Sequence, residues 1–155
     1  MQASEAAVSR AAAQARVVHL ATHGVVVDGS PLQSFVALAP ADGQDGLLTV
    51  RDVLGWKLRG HLVVLSACQT GLGKVSGDGV LGLGRAFLYA GAPSVAVSLW
   101  SVDDDATAAL MREFYTAWLG GQSKAAALRH AQLAARAQFG DPARWAAFAL
   151  WGEGR

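Results

Sequence analysis

The sequence predicts an α/β fold, a mostly parallel sheet with helices on both faces, on three observations. Apolar runs of strand character recur at RVVHLATHG (16–24), HLVVLSA (61–67) and APSVAVSLW (92–100). Stretches with helical patterning separate them, which is the alternation that parallel sheets with crossover helices produce. In the first run both alternating faces, Val17-His19-Ala21-His23 and Val18-Leu20-Thr22, are largely apolar, as a strand covered on both sides requires.

The elements follow in order. Residues 3–15 are Ala-rich with scattered polar positions and read as a helix, or the end of one, before the first strand. Turn signals Asp28-Gly29-Ser30-Pro31 and Asp42-Gly43 bracket SFVALA (34–39), an extended excursion with hairpin character. Thr49 is an N-cap, with Asp52 three residues on completing an imperfect capping box; the helix VRDVLGWKL follows and stops at Gly60. After the second strand, CQTGLGKVSGDG (68–79) is a glycine-rich loop, and VLGLGRAFLYAG (80–91) is a helix whose small residues permit close packing on a sheet. Asp103-Asp104-Asp105 opens a helix to Leu119, with Ala106, Leu110, Phe114 and Trp118 along one stripe. Ser123 caps a further helix over 124–138, Pro142 breaks it, and RWAAFALWG (144–152) is a last strand.

Composition narrows the function classes. A chain of 155 residues buries one core, so residues 1–155 read as one domain. Apolar content of 52% against 16% charged marks a globular chain, and a net charge of +1 gives no basic excess for nucleic acid. No apolar run reaches the roughly 18 residues of a membrane span, and the N-terminus lacks the order of a signal peptide. The single cysteine, Cys68, excludes an internal disulfide and fits a reducing compartment, so a cytoplasmic location is expected.

Ligands of open parallel sheets bind beyond the carboxyl ends of the strands. Three loops reach that edge here: Thr22-His23-Gly24, Ala67-Cys68-Gln69-Thr70-Gly71 and Ser101-Val102-Asp103-Asp104. If the first two strands are neighbours, an imidazole and a thiol emerge at matching heights, the minimum for thiol nucleophilic catalysis. A tetrahedral intermediate also needs backbone N–H donors, and Gly24 and Cys68 are the candidates.

These residues carry a family resemblance. HLATHG (19–24), LSACQTG (65–71) and LWSVDDDAT (99–107), with the closing WAAFALWG, resemble the CHAT family of caspase- and separase-like peptidases, often fused to tetratricopeptide repeats. The resemblance spans roughly residue 16 to the C-terminus and rests on three ordered motifs. It implies a three-layer caspase-like fold, His23 as catalytic histidine, Cys68 as nucleophile, and Gly24 and Cys68 amides as oxyanion donors. It implies a cysteine endopeptidase that needs no cofactor and no metal. Its partners would be a protein or peptide substrate and an activating protein or upstream repeat domain, with neither nucleic acid nor membrane. Family domains usually carry another strand and helix before the histidine strand. Only about one helix precedes it here, so the first strand is expected to be lacking, its sheet edge exposed, and the chain is read as a C-terminal portion of a longer protein. The alternative is a non-catalytic interaction or regulatory module on the same fold.

A lone cysteine is more often a small buried hydrophobe than a nucleophile; the ordered His-Gly and Ala-Cys pair reverses that balance for Cys68. His19 shares a face with His23 but lies four residues away, about 13 Å at strand rise, too far to share a metal. His19 reads as a core or supporting histidine, and His61 and His130 as structural or solvated. Asp103 to Asp105 suit a helix start, yet Asp103 also borders the proposed nucleophile and is a candidate for recognising a basic P1 side chain, with Ser98 and Trp100 as further pocket residues. GLGK (71–74) fails as a phosphate loop, because Cys68 and Val75 stand where glycine and Ser or Thr are required. Gly82-Leu83-Gly84 falls inside a helix rather than at a strand-to-helix turn, and there is no Gly-x-Ser-x-Gly elbow.

Overall fold

The computed structural model describes residues 3–27, 29–41, 43–60, 62–69, 78–101 and 103–155, with backbone alone at 67–69 and 78–81. Six strands form one sheet in the order β3-β2-β1-β4-β5-β6. Its centre is parallel: β1 (Val17–Val25) pairs with β4 (Leu62–Gln69), and β4 with β5 (Ser94–Ser98). Its flanks are antiparallel. On one side β2 (Phe35–Ala37) and β3 (Leu47–Thr49) form the expected excursion; on the other β6 (Phe148–Gly152) runs back along β5.

Strand parity divides the core in two, because successive side chains point to opposite faces. Leu20, Val63, Leu65, Val95 and Val97 pack against α1 (Glu5–Ala12), α2 (Val50–Leu54) and α3 (Asp78–Tyr89). Leu62, Val64 and Ala96 pack against α4 (Asp104–Leu119) and α5 (Lys124–Phe139) on the other face. This is the three-layer α/β arrangement the sequence predicts.

Local chemistry sets the boundaries. At Thr49 the capping box is complete: its side chain accepts from the Asp52 N–H, and the Asp52 carboxylate accepts from the Thr49 N–H at 2.9 Å. The helix it opens is shorter than expected, however, ending at Gly55 rather than Gly60. Tertiary contacts win there. Trp56 leaves the helix to meet the Phe87 ring edge-on at 5.9 Å, and Leu58 is buried with its N–H donated to Ala90 O. Gly84 explains the small residues of α3, since a Cβ there would stand 2.5 Å from Cζ3 of Trp151 on β6. Pro142 is not merely a breaker. α5 ends at Gly140, whose φ of 71° suits glycine, and Pro142 starts the short α6 (Pro142–Trp145) from its N-cap, Asp141.

One edge is incomplete. β2 pairs with β1 only at Gly24↔Val36 and Val25↔Phe35. Below that point, on the side away from β4, Val17 to Thr22 have no strand partner among the described residues.

Candidate active site

The β1–β4 ladder runs in unbroken register from Val17↔Leu62 to Gly24↔Gln69 and places His23 directly opposite Cys68. Paired residues of a parallel ladder belong to the same face. Since Leu62 and Val64 face α4 and α5, positions 19, 21 and 23 of β1 and 64, 66 and 68 of β4 share that face. His23 is exposed, and its imidazole has no hydrogen-bond partner among the described residues.

A cavity of about 540 Å³ opens between this face and the first turns of α4. His19, His23, Ser66, Asp104, Thr107 and Met111 are among its walls. The Thr107 hydroxyl is buried and unpartnered among the described residues, leaving a polar atom free beside the cavity. His19 Nδ1 lies 3.1 Å from the Tyr115 hydroxyl on α4. Burial pushes the His19 pKa below its ordinary value and the Tyr115 pKa up to about 12.

The acidic residues at the start of α4 divide their work. Asp103 is the N-cap: its Oδ1 accepts from the Ala106 N–H at 3.0 Å and from Arg144 Nη2 at 3.0 Å. The Ala106 N–H, and then Arg144, hold its carboxyl below the usual range. Asp104, one residue on, lines the cavity. The other two pocket candidates stand outside the described lining. Ser98 is buried and donates to Trp100 O at 2.6 Å, while Trp100 Nε1 donates to Ala143 O at 2.8 Å.

Gly24 and Cys68 both lie inside the ladder rather than in loops. The Leu62 N–H donates to Arg16 O, which fixes the phase of the β1–β4 bonds. By that alternation even-numbered residues of both strands point across the shared ladder, so the Gly24 and Cys68 amides face the neighbouring strand. The glycine-rich stretch 70–77 and His61 lie outside the described residues. His130 is on the surface, 3.8 Å from a Glu113 carboxylate oxygen. Phe114, Trp118, Trp145 and Trp151 all pack in the two cores. Among the described residues no three His, Cys, Asp or Glu side chains are grouped to hold a metal ion, and no helix is long and apolar enough to cross a membrane.

The family model of the CHAT domain matches residues 1–153. The chain belongs to the CHAT domain family. That family is related to the caspase-like peptidases, in keeping with the α/β architecture above. Tetratricopeptide repeat protein 28 of Homo sapiens is 43% identical over 111 residues, 70% of this chain and 4% of the relative. Tetratricopeptide repeat protein 28 of Mus musculus is 38% identical over 127 residues, 81% of this chain and 5% of the relative. The CHAT chain thus spans only 4–5% of the length of these two relatives.

Sequence reasoning missed Ser66, Asp104 and Thr107 as cavity residues. Two signals point to them. Ser66 precedes Cys68 by two on a strand, hence on the same face, and Thr107 follows Asp104 by three on a helix, hence on the same side.

Proposed function

We propose that this CHAT domain is a cysteine endopeptidase working through a His23–Cys68 dyad. The single supporting observation is the register that sets these two positions opposite each other on one face, beside an open cavity. The Cys68 thiolate adds to the scissile carbonyl carbon. The tetrahedral intermediate collapses with cleavage of the C–N bond, and His23 gives its proton to the departing amine. His23 then takes a proton from water, which hydrolyses the thioester and releases the thiol. No cofactor takes part in these steps.

Oxyanion stabilisation is assigned to the Gly24 and Cys68 amides. Both face the ladder, so this role requires the last rungs between β1 and β4 to part when substrate binds. A basic P1 side chain is assigned to the Asp104 carboxylate rather than to Asp103, whose oxygen already serves Ala106 and Arg144. The relatives named for tetratricopeptide repeats suggest a repeat-bearing segment or protein as the activating partner.

A second reading, a non-catalytic interaction module, is favoured by those same two amides being engaged in the ladder. Labelling with a peptidyl acyloxymethyl ketone separates the readings. Catalysis predicts adduct at Cys68 by mass spectrometry, slowed about 100-fold or more in His23→Ala. Equal rates in the two proteins would leave the interaction module.

A further inference from the structure

The cavity over His23 has two long walls. One is β1 from His23 back to His19; the other is α4 from Asp104 to Met111. His19 stands at the far end, its Nδ1 3.1 Å from the Tyr115 hydroxyl and the two rings 5.9 Å apart. His19 is nevertheless exposed, because the cavity and a hollow beside α1 both open onto it. An occupant of the cavity therefore shields this imidazole from solvent. Few ionisable groups surround it among the described residues. α4 supplies Tyr115 and, along the cavity, Asp104; β1 supplies His23; β4 supplies only the neutral Ser66. The hollow beside α1 adds no ionisable group beyond His23. The Tyr115 pKa, raised to about 12, rules out a phenolate counter-charge at neutral pH.

We propose that His19 couples occupancy of this cavity to pH: a substrate side chain enters while the imidazole is neutral, and a proton on His19 expels it. This rests on the reading of the cavity as the place of the P1 side chain, and is independent of attack by Cys68. An imidazolium needs hydration far more than the neutral ring does, so shielding it from solvent penalises the charged form. A basic side chain adds a second penalty. It brings a like charge and engages Asp104, the one carboxylate residue lining the cavity. A cationic occupant therefore couples more strongly than a neutral one of the same length. Linkage makes the effect reciprocal: occupancy lowers the His19 pKa, and affinity is full above the free-protein value and falls as pH drops through it.

The test uses the complete chain carrying Cys68→Ala, with n-pentylammonium as a lysine side-chain probe and 1-pentanol as its neutral counterpart. NMR shifts of the Ala108 and Met111 methyl groups report occupancy, and the His19 Cε1–H signal reports its titration. Bound pentylammonium should lower the His19 midpoint by at least about half a pH unit, and pentanol by less. Pentylammonium affinity should weaken at least about threefold between about pH 7.5 and 5. His19→Gln should lose most of that dependence, and His23→Gln should keep it. The midpoint is read on His19 itself, so it decides the matter even if His19→Gln fails to fold. Absence of methyl shifts with either probe, an unmoved midpoint with probe bound, or a pH dependence that persists in His19→Gln would each overturn the proposal. With Cys68 removed, the result stands apart from the labelling experiment: coupling at His19 without a peptidyl adduct in the wild-type chain would sink catalysis alone.

Discussion

The Tyr115 hydroxyl on α4 meets Nδ1 of His19 on β1 at 3.1 Å, tying the helix over the cavity to the strand that carries His23. Burial raises the phenol pKa to about 12 and lowers that of the imidazole. Because the folded-state His19 pKa lies below 6.5, the unfolded chain takes up a proton first as the solution is acidified. This contribution to stability is complete above pH 6.5 and is lost as pH falls through the folded value. Urea unfolding between pH 5 and 8 should show that decline, and His19→Gln should flatten it. Above pH 10 the raised Tyr115 pKa acts in the opposite sense, stability falling as the unfolded phenol ionises; Tyr115→Phe removes that limb.

Asp104→Ala should slow labelling of Cys68 by a lysyl or arginyl electrophile about tenfold or more while leaving a leucyl electrophile unaffected. Asp104 lines the cavity, and one charge-assisted hydrogen bond contributes roughly 1.5–3 kcal/mol. Asp103→Ala should behave differently. It uncaps α4 and frees Arg144, so it lowers stability without changing P1 preference. Its folded pKa is depressed, so the Asp103 contribution is present above pH 3.8 and lost as pH falls through the lower folded value. Unfolding curves of the variant should diverge from wild type at neutral pH and converge in acid.

The two glycines of α3 should respond oppositely. Gly84→Ala drives a methyl group into the Trp151 ring and should destabilise by about 1–3 kcal/mol. A Cβ on Gly82 meets only Val50 Cγ2, at 3.8 Å, so Gly82→Ala should stabilise by roughly 0.5–1 kcal/mol through helix propensity. Denaturant midpoints of the two proteins, compared with wild type, test both signs.

Phe114→Ala should cost about 3–5 kcal/mol, since Phe114 is fully buried between the sheet and α5 and stacks on Trp118 at 6.1 Å. Thr49→Ala removes the cap of α2 and should cost about 1 kcal/mol. Thermal unfolding should rank the two in that order.

Most of the fold is legible because local chemistry and tertiary packing agree. Thr49 and Asp52 announce α2, Ser123 announces α5, and the stripe from Ala106 to Trp118 announces the buried face of α4. The end of α2 is not legible. The sequence pattern carries the helix on to Gly60, whereas burial of Leu58 and contact of Trp56 with Phe87 end it at Gly55. At the site, parity on β1 and β4 is readable from sequence once the strands are assumed to be neighbours. The division of labour between Asp103 and Asp104 is not, because it turns on Arg144, 41 residues away, reaching back to the cap.

The pairing of His23 with Cys68 also has a consequence for biosynthesis. The two positions sit 45 residues apart (68 − 23), and the whole excursion through β2, β3 and α2 lies between them. During translation, a nascent chain whose β4 is still within the ribosome holds position 23 but has no position 68 paired with it. The constellation comes into being only when the central pair of strands closes, so any chemistry it performs is withheld until this part of the chain has emerged and folded.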